Sequence, residues 1–178
     1  MGNTQVILVD QSDNPVGVME KLEAHRKAYL HRAVSVFVVN SEGEWLLQRR
    51  ANGKYHSGGL WTNTTCTHPY PGEPSEDAAR RRLKEEMGIE THLTRLFSFL
   101  YRESLDNGLI EHELDHVFWG ISDQVPSVDA REVMDWKYTG YQELCDHVEN
   151  DPGSYTVWFR QVYRKVWDES LKLKYEPL

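Results

Sequence analysis

Apolar side chains run almost unbroken through residues 33–40, Ala-Val-Ser-Val-Phe-Val-Val-Asn, a β-branched stretch that predicts a strand buried on both faces. Glu42-Gly43 turns the chain and Trp45–Gln48 returns, which predicts a hairpin. Residues 5–9 form a shorter strand, with Asp13-Asn14-Pro15 as the turn after it. The period changes over residues 75–87, where Ala79, Leu83 and Met87 recur every four positions and predict a helix with one buried stripe. Ser75 can cap that helix, Glu76 and Asp77 suit its positive end, and Gly88 can stop it in a left-handed conformation. Residues 93–101 and 110–119 predict two strands around an Asp106-Asn107-Gly108 turn. Residues 141–149 and 155–171 have helical spacing, the second with Tyr155, Phe159, Val162 and Val166 on one face, and Pro126 and Pro152 fall in loops. Strands and helices mix without strict alternation, and no repeat or Pro/Gly-rich linker divides the chain. The expected architecture is a single α+β domain over residues 1–178, a mixed β-sheet sandwiched between α-helices.

Composition adds exclusions. With 178 residues, 39% of them hydrophobic, the chain can bury a substantial core without disulfides or a structural metal. Its formal charge of −8 argues against general binding to nucleic acid or an anionic membrane. No stretch approaches the ~18 apolar residues of a spanning helix, and the short run Val6–Val9, followed by Asp10, is no signal peptide. The expected location is the cytoplasm, with Cys66 and Cys145 both reduced.

The chemistry concentrates in a few places. Glu111 and Glu113 are two apart in a strand and so share a face; carboxylates held that close repel unless a cation lies between them. Cys66 and His68 share an orientation as well, His68 being biased towards extended backbone by Pro69. His31 can begin the buried strand while His25 ends a short helix upstream. A set of three histidines and two glutamates with one open position suits octahedral Mn²⁺, Mg²⁺ or Fe²⁺, and Zn²⁺ could also occupy it. His56, His92, His116 and His147 have no comparable partners and are left as background. Within this acidic chain Arg49-Arg50, Lys54 and Arg80-Arg81-Arg82 form the basic residues available to an anion. On the 75–87 helix Arg81/Glu85 and Arg82/Glu86 are four apart, which fits either surface ion pairs or a diphosphate held jointly by guanidinium groups and a carboxylate-bound Mg²⁺.

Several stretches together resemble the type I isopentenyl-diphosphate isomerases of the Nudix superfamily. They are Lys21–His25, Leu30–Phe37, Gln48–Arg50, Trp61–Pro69, Tyr101-Arg102, Glu111–Glu113 and Trp158, spanning residues 21–158. The Nudix box, G-x5-E-x7-R-E-U-x-E-E-x-G-U, is present with departures. Thr67 stands for its first glycine and Arg82 for the glutamate after Arg81, while Glu73, Leu83, Glu85, Glu86, Gly88 and Ile89 fit. Loss of that glutamate weakens the case for diphosphate hydrolysis, and an arginine there is similar to what the isomerases have.

The resemblance implies a first cation, Mn²⁺ with Mg²⁺ or Zn²⁺ as alternatives, on His25, His31, His68, Glu111 and Glu113. It implies Mg²⁺ at Glu86 bridging to the substrate diphosphate, with Lys21, Arg50, Lys54 and Arg82 on the phosphates. The implied reaction converts isopentenyl diphosphate to dimethylallyl diphosphate through a tertiary carbocation. Cys66 and Glu113 stand on opposite faces of the substrate, Tyr101 assists Glu113, and Trp158 presents its π face to the cation. Which of Cys66 and Glu113 delivers the proton is open at this point. The competing readings are a Nudix hydrolase, which has no need of Cys66, and an idle metal- or phosphate-binding module. The partner expected is the small-molecule substrate, with a monomer or weak dimer as the assembly.

Overall fold

A computed structural model describes residues 5–173. Nine strands form one mixed sheet centred on β3 (His31–Val39), the apolar run of the sequence. Ahead of it lie β1 (Gln5–Val9), β2 (Pro15–Glu20) and a short helix, α1 (Lys21–Lys27). Glu20 caps α1 by accepting the backbone N–H of Glu23 at 2.8 Å, and Ala28 ends it at φ 54°. That sharp stop returns the chain to β3, so His25 and His31 are brought together although no single helix carries both.

After β3 come β4 (Trp45–Arg50), the two short strands β5 (Trp61–Thr62) and β6 (Thr65–Thr67), and α2 (Ser75–Met87). The long hairpin of β7 (Leu93–Ser104) and β8 (Ile110–Ile121) follows, then β9 (Val133–Thr139), α3 (Tyr141–Asn150) and α4 (Val157–Leu173). The hairpin turns through Asn107 and Gly108, both at positive φ, as a short 3₁₀ turn.

Alternation along β3 decides how the layers stack. Phe37 and Val39 pack with Trp45, Leu47, Val117 and Trp119 beneath α3 and α4, against Leu144, Phe159 and Val162. Val34, Val36 and Val38 face the other way, with Phe118, onto Ala79, Leu83 and Met87 of α2. A period of two therefore sends one strand's side chains into two cores, and the expected sheet between helices is borne out.

Register then sets the chemistry. β3 and β8 are parallel with His31 beside Glu113 and Ala33 beside Asp115. β6 runs antiparallel on the other side of β3, with Cys66 beside Ser35. β7 pairs with β8 so that Tyr101 lies beside Glu113.

Some local expectations need correction. Pro74, not Ser75, holds the N-cap position of α2 and makes no side-chain capping bond; Ser75 is already helical. α4 begins at Val157, because Tyr155 is extended and follows a separate 3₁₀ turn. Arg82 is no surface ion pair: its partner Glu86 is only 2% exposed.

Candidate active site

The open ends of β3, β6, β7 and β8, roofed by α4 and the loop after β4, enclose a cavity of about 480 Å³. Lys21, Arg50, Lys54, Cys66, His68, Tyr101, Arg82, Glu111, Glu113 and Trp158 all line it. His25, His31 and Glu86 lie just behind this lining, each essentially buried.

Two imidazoles have their orientation fixed from behind. His25 Nδ1 lies 2.7 Å from the Lys21 carbonyl and His31 Nδ1 2.8 Å from the Tyr29 carbonyl. A carbonyl oxygen can only accept, so both Nδ1 atoms carry the proton and both Nε2 lone pairs point inward. Those lone pairs face carboxylate oxygens: His25 Nε2 is 3.5 Å from Glu111 Oε2, and His31 Nε2 is 3.3 Å from Glu113 Oε1. Both Nε2 atoms and Glu111 Oε2 are buried without a hydrogen-bond partner. His68 Nε2 reaches Glu113 Oε1 at 2.7 Å. Acceptors converging on acceptors in a dry space are unfavourable unless a cation lies among them. Donor atoms of His25, His31, His68 and Glu113 all lie within 4.8 Å of one another, as do those of His25, His56 and Glu111. These nitrogen and carboxylate donors fit a divalent cation.

The electrostatics agree. Burial, with Glu113 beside it, pushes the Glu111 carboxyl well above its ordinary range. Burial and the charge of Lys21 hold His68 down to about 3, and burial also lowers His25, so the rings are neutral, as ligands must be.

A basic wall stands opposite. Arg50 is 8% exposed, its Nε unpartnered, and its guanidinium lies 5.4 Å from the Trp158 ring. Lys21 sits 4.7 Å from the Tyr55 ring, and burial together with Lys54 lowers its ammonium to about 8. Lys54 and Arg82 both reach Glu132 and Glu86; Arg82 Nη2 is 2.6 Å and Lys54 Nζ 3.8 Å from Glu86 Oε1. Gln48 and Thr65 donate to the other oxygen of Glu86.

The thiol side is held by Asn63, a fully buried residue of the turn between β5 and β6. Its Oδ1 accepts from Cys66 Sγ at 3.2 Å, from Trp158 Nε1 at 3.3 Å and from Thr62 Oγ1 at 2.9 Å. Burial, with the nearby Asp115 charge, pushes the Cys66 thiol up to about 12, so it keeps its proton. Tyr101 donates its hydroxyl to Glu113 Oε2 at 2.6 Å. Since β6 and β8 flank β3 on its two sides, Cys66 and Glu113 enter the cavity from opposite sides of that strand.

A NUDIX domain model matches residues 29–167. An isopentenyl-diphosphate Delta-isomerase of Pectobacterium atrosepticum is 50% identical over 165 residues, covering 93% of this chain and 92% of the relative. A second, isopentenyl-diphosphate Delta-isomerase 2 of Aromatoleum aromaticum, is 54% identical over 162 residues, 91% of this chain and 86% of the relative. The chain belongs to the isopentenyl-diphosphate Delta-isomerases of the Nudix family. Solved structures support the fold beneath that family: a Deinococcus radiodurans protein superposes with a TM-score of 0.76 at 21% identity, covering 91% of this chain and 98% of its own. A Nudix hydrolase from M. Smegmatis gives 0.60 at 16% identity over 99% of this chain and 98% of its own.

Every site residue expected from the isomerase family lines this cavity or lies directly behind it. Among the surrounding groups that were missed, besides Asn63 and Glu132, are two beside the paired glutamates. His56, set aside as background, is 5% exposed and points Nε2 at Glu111 Oε1 across 3.2 Å. Asp115, 1% exposed, lines the cavity and accepts from Ser35 Oγ at 2.6 Å. Its period-two spacing from Glu111 and Glu113 was the available signal. By contrast His116 pairs with Asp13 at 2.8 Å away from the cavity, while His92 and His147 are exposed. Cys145 is a free thiol packed in the α3–α4 core. No helix among the described residues is long and apolar enough to cross a membrane.

Proposed function

We propose that this isopentenyl-diphosphate Delta-isomerase, an enzyme of isoprenoid biosynthesis, moves its substrate's double bond by adding a proton on one side of the cavity and removing one on the other. His25, His31, His68, Glu111 and Glu113 would hold one divalent cation (Mn²⁺, with Mg²⁺ or Zn²⁺ as alternatives), and Glu86 would hold a Mg²⁺ near the substrate's phosphates. Bound there, the cations neutralise the carboxylates and the phosphates. The lone pairs of His25 and His31, buried and facing carboxylate oxygens, are what support the first site. For the second, Glu86 Oε1 pairs with Arg82 and Lys54, cations that substrate phosphate would draw towards itself.

The phosphates sit against Lys21, Arg50, Lys54 and Arg82, leaving the hydrocarbon end between Cys66, Glu113 and Trp158. The Tyr101 hydroxyl, bonded to Glu113, supplies the proton that passes with the help of Glu113 to the terminal alkene carbon. A tertiary carbocation results, facing the indole of Trp158. Cys66, once its thiol proton has been released, takes up a proton from the neighbouring methylene, and the electrons of that C–H bond form the new double bond. The single observation that carries this reading is the thiol and the tyrosine-bound carboxylate entering one cavity from two sides of β3.

Incubation with isopentenyl diphosphate and Mg²⁺ in deuterated water tests it. Deuterium in the new methyl group of dimethylallyl diphosphate is the expected result. Product without label, or inorganic phosphate in place of product, would overturn it, the latter in favour of a hydrolase.

A further inference from the structure

His56 belongs to neither the phosphate wall nor the thiol side, yet it is buried against the first cation's carboxylates. Its Nε2 lies 3.2 Å from Glu111 Oε1, while the other oxygen of the same carboxylate, Oε2, faces His25 Nε2 at 3.5 Å. Its Nδ1 lies 3.2 Å from the Ser57 hydroxyl. That partner separates it from His25 and His31, whose Nδ1 atoms face backbone carbonyls. A carbonyl forces the proton onto Nδ1, whereas a hydroxyl can donate to Nδ1 and leave the proton on Nε2. With the proton on Nε2 the 3.2 Å approach brings a donor towards Glu111 Oε1; without it, two acceptors would meet.

The loop is shaped for this. Ser57 has φ 52°, a left-handed conformation that a non-glycine residue adopts only at a cost. The following Gly58 has no room for a side chain, since a Cβ there would stand 2.8 Å from the Asn52 carbonyl oxygen. Tyr55 and Trp158 pack edge-on against the ring at 4.3 Å and 5.8 Å and hold its plane.

We infer that His56 is a positioning residue that grips one oxygen of Glu111 through Nε2–H, with Ser57 fixing the tautomer, so that the other oxygen is presented to the cation beside His25. The inference rests on the five-residue first site proposed above. Such outer partners of metal-binding carboxylates typically contribute 10- to 100-fold in metal affinity. The rival arrangement uses His25, His56 and Glu111, whose atoms lie close enough together to form a ligand triplet; there His56 would bind the cation itself.

Mn²⁺ affinity, measured by competition with a metal buffer on wild type, His56→Ala and His56→Gln, tests the inference. His56→Ala should bind Mn²⁺ about 10-fold or more weakly, with its metal-free melting temperature close to wild type. His56→Gln should recover most of the loss, because the glutamine amide can place an N–H where Nε2–H stood. Pulsed EPR of the wild-type Mn²⁺ complex should count three coordinated imidazoles. Unchanged affinity in His56→Ala, no recovery in His56→Gln, or four coordinated imidazoles would overturn it. A wild-type chain that takes up no Mn²⁺ would instead remove the first site, and this inference with it.

Discussion

At the scale of single residues, the state of Cys66 decides much. Its thiol donates to Asn63 and burial keeps it protonated to about 12. The free thiol should therefore alkylate slowly near pH 8, with a rate that keeps rising beyond pH 9 and does not level off there. Iodoacetamide kinetics over that range check this, and a plateau near pH 8.5 would show an ordinary cysteine. Cys66→Ala should lose about 10²-fold or more in kcat while keeping its metal content, since the thiol contacts no proposed metal ligand. Asn63→Ala should mimic that loss less severely, because it releases the thiol and the Trp158 indole together. An Asn63→Ala enzyme with wild-type kcat would show that neither group depends on this clamp.

At the scale of elements, the end of α2 illustrates how much backbone the site needs. Gly88 has φ 68°, and a Cβ built there would stand 2.9 Å from both Cβ and the carbonyl oxygen of Ser127. Gly88→Ala should lower the urea midpoint by an amount equivalent to at least about 1 kcal/mol, with kcat little changed in the folded fraction. A midpoint equal to wild type would mean the loop around Ser127 yields freely. α2 was legible because its stripe is local, and β3 because both its faces are buried. β2 was not, since it is mostly exposed and carries no inward apolar alternation. β5 and β6 hold two and three residues, too few to show any period, and their place is set by pairing with β4 and β3. The same distinction divides the site. Glu111 and Glu113 announce themselves by spacing, whereas His56 acquires its partner only when the β4–β5 loop folds over β8. No local pattern records that contact.

At the scale of the whole molecule, the buried histidines link stability to acidity. Burial comes first among the causes that lower His56 to about 2, His68 to about 3 and His116 to about 4, against an ordinary value of 6.5. Released by unfolding, each ring takes up a proton near pH 6.5, while in the folded chain it stays neutral until far lower. Between those limits the unfolded state holds more protons, so stability falls as pH falls. The contribution of these rings is complete above pH 6.5 and is lost progressively down to about pH 2–4. The part of the metal-free protein's stability that these rings contribute should accordingly be level above about pH 7 and decline below 6.5, against the opposite slope of Glu111 and Asp115, whose carboxyls burial holds up. A divalent cation that binds only the folded chain, through neutral rings, should raise the midpoint at pH 7 and protect far less near pH 5. His116 separates the two effects, because it pairs with Asp13 away from the cavity. His116→Asn should flatten the acid decline of the metal-free protein and leave the stabilisation by metal at pH 7 unchanged. If the variant lost its response to metal, His116 would be tied to the cation centre after all. If instead His116→Asn declined in acid as steeply as the metal-free wild type, the His116 ring would be protonating in the folded state and burial would not be keeping it neutral.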